Sequence, residues 1–398
     1  MTKPKLWTPN FIRVSISNFF LFLVFYCLLV TLPIYAMQTF HSHASSAGLL
    51  VTVFLFAAII IRPLTGRWIE QLGRRTVLTV SFLIFFVVAL LYFVPQGITG
   101  LLVLRFLHGI GFGMATTVAG TIVADVIPSS RIGEGMGYFT MSTNLAMVLG
   151  PFIGLTIYQN FGISNLFIIS SSFAFLSLLI GLLIKIPKYL PENNPSVPHI
   201  EFSFSNLFEV SAIRISLVAS IFALVYSSIL SFVSVYAKGI GFASSASYFF
   251  VVYAVVLILS RPFTGKWFDL YGANKVMYPS ILLFAIGMVV LSTANSALLF
   301  LLSAALIGLG WGTLFPFLQT IAIRNAAPSR KGVATATFLS IFDTGIGIGS
   351  VVVGLAAGIG FRSLYFYSTF VILLAMLGYF IVTKKKVELQ PKKEATNL

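Results

Sequence analysis

One acidic residue, Asp343, stands within a long apolar stretch of the sequence, eleven residues after Gly332. If that stretch is a helix crossing a lipid bilayer, the carboxyl group lies roughly 16 Å along it, because each residue adds about 1.5 Å. An ionised carboxylate at that depth costs at least ~2.5 kcal/mol. We therefore expect Asp343 to be protonated, paired with a cation or in contact with water. Such a group can carry a proton, and the alternative is a structural hydrogen bond between helices.

A second polar pair, Arg105 and His108, lies in another apolar stretch. Their spacing of three places both side chains on one face of a helix. The guanidinium group stays charged, so Arg105 must meet water in a cavity, backbone carbonyl groups or Asp343. His108 either relays protons or serves as a neutral hydrogen-bonding group. We take Arg105 to be the only basic residue inside an apolar stretch, and we predict proton coupling through Asp343, Arg105 and His108.

The composition requires a lipid environment. Of 398 residues, 58% are hydrophobic and 9% charged, whereas about 25% of the residues in a soluble domain are charged. A soluble globular protein and a disordered chain are therefore excluded. Continuous apolar runs are typical of membrane helices and not of barrel strands, in which apolar and polar residues alternate. Twelve segments of suitable length lie at about 11–37, 45–62, 76–95, 98–126, 134–159, 163–186, 211–237, 244–262, 276–295, 298–325, 332–360 and 363–383.

The basic residues predict the orientation. With a cytoplasmic N-terminus, all but three of the 25 Lys and Arg residues lie in cytoplasmic segments, and the exceptions are Arg105, Lys238 and Arg362. Cytoplasmic loops of membrane proteins carry such an excess, so we expect both termini inside. The net charge of +15 then reflects orientation and contact with anionic lipid, and we expect no nucleic-acid partner. A Pro-rich stretch suggests a division into a bundle (1–186), a cytoplasmic linker (187–210), a second bundle (211–383) and a basic tail (384–398).

The chain repeats itself at an offset of 199 residues. The twelve residues from Arg62 to Gly73 align with those from Arg261 to Gly272, with six identities. The same offset relates Gly109, Gly111 and Gly113 to Gly308, Gly310 and Gly312. Parallel repeats of this kind pack around an axis normal to the membrane, with a site between them near the midplane. We predict an all-α membrane protein with twelve transmembrane helices in two pseudo-symmetric six-helix bundles.

Three motifs make the sequence resemble the major facilitator superfamily, and within it the twelve-span drug/proton antiporters. The loop after segment two reads Gly66-x-x-x-Glu70-x-x-Gly73-Arg74-Arg75, with Glu70 where the family has Asp and Gln71 where it has a basic residue. Segment four contains Arg105-x-x-His108-Gly109, with His108 in place of Gln. Segment five contains Gly150-Pro151-x-x-Gly154, which resembles an antiporter motif, although Ala146 stands where its first Gly is usual.

The resemblance implies that acidic residues at helix ends control opening. Glu70 would face the beginning of segment eleven near Gly332, and Asp269 the beginning of segment five near Gly135. A carboxylate at a helix N-terminus contributes about 0.3–2 kcal/mol, which suits a contact that must also break. The alternative is that these are solvated loop charges that only set topology. Asp125 either forms a structural ion pair with Arg67, Arg74 or Arg75 or takes part in gating. The predicted gating residues are Gly66, Glu70, Gly73, Arg74, Arg75, Asp125, Gly150, Pro151, Gly154, Gly265, Asp269 and Gly272.

The resemblance also implies a substrate cavity lined by segments one, four, seven and ten, and an aromatic lining suits lipophilic, often cationic, molecules. Because 15% of all residues are aromatic, such residues also occur on lipid-facing surfaces. Asn144 is related to Asp343 by the offset of 199, as its neutral counterpart. His41 and His43 flank Ser42, a weak metal signal, and we expect no metal site. The predicted cavity residues are Asn18, Phe22, Tyr26, Phe112, Asn144, Phe222, Tyr226, Trp311, Phe315 and Gln319.

These features predict a proton-coupled exporter of lipophilic or cationic small molecules, of the multidrug type, in a bacterial plasma membrane. The alternatives are a dedicated exporter of one metabolite (a sugar, an amino-acid derivative or a metallophore), sodium coupling, and, less favoured, a nutrient symporter or a non-transporting sensor or scaffold. The sequence contains no His-Glu-x-x-His, Gly-x-Ser-x-Gly or P-loop motif, so we expect neither an enzyme nor a nucleotide or other cofactor. The single cysteine, Cys27, excludes an intrachain disulfide. The expected partners are a small-molecule substrate, protons and membrane lipid, with the protein acting as a monomer.

Overall fold

The computed structural model describes residues 4–40, 44–95, 97–186, 207–242, 245–356 and 359–388. Most of the predicted linker and of the predicted tail lies outside these residues, as do His41 and His43. Eleven stretches of the described helices are long and apolar enough to cross a membrane. The α-helices in the described ranges are α1 (Pro9–Thr39), α2 (Ala44–Gln71), α3 (Arg74–Leu91), α4 (Ile98–Val126), α5 (Ile132–Leu182), α6 (Val210–Gly239), α7 (Ala246–Tyr271), α8 (Ala273–Ser292), α9 (Ala297–Arg324), α10 (Lys331–Ala356) and α11 (Phe361–Glu388).

Local sequence explains several helix ends. The Thr8 side chain accepts a hydrogen bond from the Phe11 amide at the start of α1, and Ser296 caps α9 in the same way. Such caps satisfy amide groups that have no partner within the helix. Gly73 and Gly272 have φ angles of +82° and +85°, a conformation that strains other residues. These two predicted glycines therefore permit the tight turns between α2 and α3 and between α7 and α8.

α5 is twice the usual length because it contains a reversal. Its 51 residues would extend about 76 Å as a straight helix, against a bilayer core of about 30 Å. Gly162 breaks the helical geometry with φ +82° and ψ 177°. The helix thus consists of a first arm (132–161) and a second arm (163–182), which cover predicted segments five and six. Predicted segments seven to twelve correspond to α6 to α11.

The two arms of α5 run beside α1 in opposite directions. In the first half of α1, Asn18 donates to the hydroxyl group of Ser142 in the first arm (2.8 Å). The neighbouring Ser17 donates to the carbonyl group of Ser177 in the second arm (2.7 Å). The other ends of both arms reach the end of α1, where the contacts are Tyr158 with Gln38 and Phe167 with Tyr35. The arms are therefore antiparallel, with Gly162 at the turn.

The repeat in the sequence is also a repeat in packing. A Cβ atom added at Gly111 would lie 2.9 Å from the backbone nitrogen of Phe85, and one added at Gly310 would lie 2.5 Å from that of Phe284. Gly310 lies 199 residues after Gly111, and Phe284 lies 199 residues after Phe85. Two large hydrophobic cores form, one from side chains between Leu6 and Ile184 and the other from side chains between Ala212 and Tyr379. Each core belongs to one of the two sequence repeats.

α2 and α7 continue past the predicted ends of segments two and eight, to Gln71 and Tyr271. The prediction ended both segments at their Arg-Pro pairs and treated Arg62 and Arg261 as cytoplasmic loop residues. Both arginines instead lie inside helices and are 2% exposed. The prediction that Arg105 is the only basic residue inside a membrane segment is therefore wrong.

α2 continues through its proline, since the backbone carbonyl group that proline leaves without a donor has another hydrogen-bond partner. Pro63 lies inside the helix and has no amide hydrogen to donate to the carbonyl group of Ile59. The Ser340 hydroxyl of α10 lies 3.5 Å from that carbonyl oxygen and donates to it. Membrane helices tolerate proline where a neighbouring helix compensates in this way.

Candidate functional site

A cavity of about 410 Å³ lies between the two repeats. All predicted cavity residues except Phe222 line it: Asn18, Phe22, Tyr26, Phe112, Asn144, Tyr226, Trp311, Phe315 and Gln319. Phe222 is fully buried in the core of the second repeat. Sequence reasoning missed further lining residues, notably Arg62, Arg261, Tyr253 and Phe342. The repeated Arg-Pro pair was the signal for the two arginines, but it was interpreted as part of a loop.

Asp343 forms an ion pair with Arg62 that joins α10 to α2 across the cavity. Arg62 also donates to the carbonyl oxygen of Leu339 (3.2 Å) and to the hydroxyl group of Thr116 on α4 (3.3 Å). The Arg62 side chain is 3% exposed and that of Asp343 is 22% exposed. The carboxylate is thus paired and also accessible from the cavity.

Arg261 occupies the equivalent position in the second repeat but has no equivalent partner. Its Nη2 donates to the carbonyl oxygen of Gly312 (2.7 Å). Among the described residues, its Nε and Nη1 atoms are buried without a hydrogen-bond partner. Subtracting 199 from Asp343 gives Asn144, a neutral residue. Arg62, Arg261 and Asp343 are the charged residues in the described lining, so the lining is positive when all three are ionised.

Arg105 and His108 do not line the cavity. Arg105 donates to the carbonyl oxygen of Leu50 (3.0 Å) and lies over the ring of Phe54, at 4.1 Å from its centroid. His108 Nδ1 is 3.2 Å from the Tyr92 hydroxyl. Both side chains are buried where α4 packs against α2 and α3, because the face they share points away from the second repeat. Of the three alternatives for Arg105, contact with a backbone carbonyl group is the one found. Arg105 is not a cavity residue in this structure, and Arg62 makes the contact with Asp343.

The two repeats touch at the end of the molecule that carries Arg74, Arg131, Lys266, Arg330 and Lys331, which we call the basic end. Asp269 of α7 accepts hydrogen bonds from the amide groups of Gly133 (2.8 Å) and Glu134 (3.0 Å) at the start of α5. Glu70 of α2 has the amide group of Val333, near the start of α10, as its hydrogen-bond partner. Both acids therefore face the helix beginnings that the resemblance implied.

Glycines bring these helices together. A Cβ atom at Gly66 would lie 2.9 Å from the Cα atom of Val333, and one at Gly265 would lie 2.6 Å from that of Glu134. Val333 and Glu134 are again related by 199 residues. The α2–α10 and α7–α5 contacts are thus two copies of one closure. They hold the two repeats together at the basic end.

Asp125 contributes a third link at the basic end. It pairs with Arg74 of α3 (2.7 Å) and with Lys331 of α10 (3.0 Å). Arg74 is one of the three predicted partners, and Lys331 was not predicted. Because Lys331 belongs to the other repeat, the cluster bridges the repeats as a gating contact must. Arg75 instead donates to the carbonyl groups of Leu182 (2.6 Å) and Ile184 (3.0 Å) and holds α3 to the end of α5.

Glu209 and Arg330 form an ion pair at the same end. Glu209 precedes α6 and caps it by accepting a hydrogen bond from the Ser211 amide. Burial alone would raise the pKa of the Glu209 carboxyl, but hydrogen bonds from Arg330 and Ser211 outweigh it and leave this pKa below its usual value. The carboxylate therefore stays charged at neutral pH and anchors the turn before α10.

The Gly150-Pro151-x-x-Gly154 motif forms a contact surface. A Cβ atom at Gly154 would lie 3.0 Å from the Cα atom of Cys27 on α1, and the Cys27 thiol donates to the carbonyl group of Gly150 (3.1 Å). Pro151 lies inside the first arm of α5 without interrupting it. Close packing of α1 and α5 is therefore observed, whereas a hinge at this motif stays a prediction.

Comparison with curated proteins finds transporters. An uncharacterized MFS-type transporter of Methanocaldococcus jannaschii is 26% identical over 358 residues, which cover 87% of this chain and 92% of that protein. The staphylopine export protein of Staphylococcus aureus is 22% identical and covers 84% of this chain and 86% of its own length. A multidrug resistance protein MdtG of Escherichia coli is 24% identical, with 93% of both chains covered.

Solved structures share the fold. The human organic anion transporter MFSD10 (TETRAN) superposes with a TM-score of 0.80 at 18% identity, covering 94% of this chain and all of that chain. The E. coli fucose:proton symporter FucP gives 0.76 at 19% identity, covering 94% and 98%. Comparison with protein-family models matches residues 14–257 and 243–398 to the Major Facilitator Superfamily. With this match spanning nearly the whole chain, and with the fold of solved transporters, the protein is a multi-pass membrane transporter that belongs to the Major Facilitator Superfamily.

Proposed function

We propose that this protein is a secondary active transporter that works by alternating access and exports lipophilic small molecules in exchange for protons. It crosses a bacterial plasma membrane twelve times, with both termini and the basic end in the cytoplasm. The observation that carries the proposal is the Arg62–Asp343 ion pair. One carboxylate faces the cavity and also holds α2 to α10, so its protonation state and the closure of the cavity are coupled.

In the conformation described, the basic end is closed, and the cavity lining extends to Val51, Leu230 and Ser350 toward the opposite end. This arrangement corresponds to a transporter closed to the cytoplasm. A proton arriving from outside neutralises Asp343 and removes its attraction to Arg62. Separation of α2 from α10 then opens the basic end, where substrate enters and the proton leaves. The ion pair re-forms as the basic end closes again.

Glu70, Asp269 and Asp125 act as supplementary closures. Each carboxylate at a helix beginning contributes about 0.3–2 kcal/mol, so the closures hold one conformation without preventing the other. The Asp125–Lys331 pair adds an electrostatic link between the repeats. These contacts are weak enough to break together when Asp343 is protonated.

The aromatic lining supports lipophilic substrates, and similarity to MdtG, whose name records multidrug resistance, supports a broad range of them. The expectation of cationic substrates loses its main argument, because Arg62 already neutralises Asp343. The same guanidinium group occupies space that a sodium ion would need for its oxygen ligands. We therefore favour protons as the coupling ion.

Export of one dedicated metabolite is the second candidate function. Its support is the similarity to the staphylopine export protein across 84% of this chain. A cavity of about 410 Å³ accommodates either a single metabolite or a set of small drugs. The range of compounds transported distinguishes the two candidates.

Everted membrane vesicles energised to an acid interior test the proposal. We expect at least one compound from a panel of lipophilic drugs to dissipate the pH gradient in vesicles with the wild-type protein, and Asp343→Asn to abolish the response because it removes the titrating group. Glu201→Gln, which removes an acid from the linker sequence, is the matched control and should behave like wild type. Equal dissipation by Asp343→Asn and wild type would refute coupling through this carboxyl group. A response that needs a sodium gradient instead would identify the other ion.

A further inference from the structure

Arg261 is a buried cation in the cavity wall without a counter-ion among the described residues. It is 2% exposed, and its Nε and Nη1 atoms have no hydrogen-bond partner there. Burying an unpaired charge is costly, and buried charged groups are normally paired or bound to a ligand. The carbonyl oxygen of Gly312 accepts a hydrogen bond from Nη2 (2.7 Å). Nε and Nη1 are left without a partner among the described residues, on a side chain that lines the cavity.

The two repeats differ at this position. Arg62 and Arg261 are equivalent by sequence, but Arg62 meets Asp343, whereas the residue equivalent to Asp343 is Asn144. The acid nearest along its own helix, Asp269, lies eight residues away, about 12 Å by helical rise. Asp269 is also engaged by the Gly133 and Glu134 amide groups. One repeat therefore carries an internal counter-ion and the other does not.

The surroundings of Arg261 suit an amphipathic ligand. The Tyr226 ring stacks on Trp311 (4.3 Å between centroids) and on Tyr253 (6.2 Å). Tyr226, Tyr253 and Trp311 all line the cavity together with Arg261. The rings offer apolar faces, and their polar groups are hydrogen-bonded to one another, Trp311 to Tyr226 and Tyr226 to Tyr253. An unpaired guanidinium group favours an anion, and stacked rings favour an aromatic or apolar body.

We propose that the transported molecules are amphipathic organic anions whose carboxylate, sulfonate or phosphate group binds Arg261. This inference rests on the proposed function, because it names the substrate class of the same cavity. Hydrogen bonds between a guanidinium group and an anion are charge-assisted and stronger than neutral ones. An interior-negative membrane potential drives an anion outward and a proton inward, so the two movements of the proposed exchange assist each other.

Three dansyl compounds that share one fluorophore test the charge preference: dansylglycine (anionic), dansylglycinamide (neutral) and dansylcadaverine (cationic). Equilibrium dialysis with the purified full-length protein in detergent measures their dissociation constants. We expect wild type to bind dansylglycine about 10- to 100-fold more tightly than dansylglycinamide, the range for a hydrogen bond to a charged group. Dansylcadaverine should bind more weakly than both.

Variants locate the preference. Arg261→Gln should bind the anion and the amide about equally, and Arg261→Lys should keep part of the preference because it keeps the charge. Arg214→Gln is the matched control, since Arg214 is exposed on α6 and does not line the cavity. Equal binding of anion and amide by wild type, or an undiminished preference in Arg261→Gln, would overturn the proposal. If Arg261→Gln does not fold, the dissociation constants of dansylglycine and dansylglycinamide for wild type still test the preference for an anion.

Transport in proteoliposomes separates this inference from the proposed function. An anion preference that depends on Arg261, without proton-coupled transport, would contradict the proposed function and leave the inference standing. Proton-coupled transport of dansylcadaverine but not of dansylglycine would support the proposed function and contradict the inference. Transport of dansylglycine that increases with an interior-negative potential, in the export direction, would support both.

Discussion

The two arginines that line the cavity differ in the partners they contact. Arg62 is satisfied by Asp343 and by two neutral oxygen atoms, so it acts within the protein. Arg261 has donors without a partner among the described residues, and we propose that it binds the substrate. A single acid thus determines which of the two arginines is paired within the protein.

We expect Arg62→Gln to lower stability and Asp343→Asn to reverse much of the loss. The single substitution leaves a partly buried carboxylate without its cation, at a cost of about 1–3 kcal/mol. With both residues replaced by amides, no unpaired charge remains, so the double variant should unfold at a higher temperature than Arg62→Gln. Thermal unfolding of the purified variants in detergent measures the difference.

Arg105→Gln combined with Asp343→Asn is the control for this cycle. Arg105 packs against Leu50 and Phe54 and has no contact with Asp343, so the two effects should add within about 0.5 kcal/mol. Additive effects for Arg62 and Asp343 as well would contradict a coupled ion pair.

At the level of helices, closure depends on two glycine contacts. Gly66 lies against Val333 on α10, and Gly265 lies against Glu134 on α5. Since α2 and α7 end beside the beginnings of these partners, the same geometry brings Glu70 and Asp269 to free amide groups. Glycine and acid have the same spacing in both repeats because the same helix crossing occurs twice.

We expect Gly66→Val to open the basic end. A Cβ atom there would lie 2.8 Å from the Cβ atom of Ala336, and overpacking of this kind costs about 1–3 kcal/mol. Thr335 is fully buried against Gly120 of α4, where the two repeats meet. It can be replaced by cysteine in a Cys27→Ser background and labelled with N-ethylmaleimide. The labelling rate should rise about tenfold or more in the Gly66→Val variant.

Gly347→Val is the matched control, because a Cβ atom at Gly347 on α10 meets nothing within 4 Å. It introduces the same side chain into a helix without touching the closure. A similar rise in labelling for both variants would show that general loosening, and not the α2–α10 contact, exposes position 335.

For the whole molecule, the two cores and the closures between them suit rocking of one repeat against the other. The loops on one side of the predicted membrane segments carry most of the Lys and Arg residues. In membrane proteins the cytoplasmic loops carry this excess of basic residues. The orientation proposed for the protein follows from this rule, and the direction of transport depends on it.

We expect an impermeant maleimide to label Gly239→Cys, but not Leu72→Cys, in intact cells that express Cys27→Ser variants. Both positions are exposed, Gly239 at the end of α6 and Leu72 at the basic end. Everted vesicles should show the opposite pattern. Labelling of Leu72→Cys from outside the cell would invert the proposed orientation and with it the direction of the proton movement.

Several features of this protein could be predicted from local composition and repetition. The apolar segments follow from the cost of placing polar backbone and charge in lipid, and Asp343 stood out because so few acids interrupt those segments. The offset of 199 residues revealed two related halves, and the helix-facing acids Glu70 and Asp269 followed from their motif. These properties depend on residues close together in the chain, or on a repeat that can be counted.

The arrangement of the cavity depends on contacts between distant residues. The partner of Asp343 is 281 residues away, and no local pattern shows that Arg62, and not Arg105, contacts it. In a membrane the lipid-facing and core-facing sides of a helix are both apolar, so hydrophobic periodicity does not show which side faces a cavity. For this reason Phe222 was predicted to line the cavity and Tyr253 was missed. Helix packing places Arg261 in the cavity wall, where no acid faces it among the described lining residues.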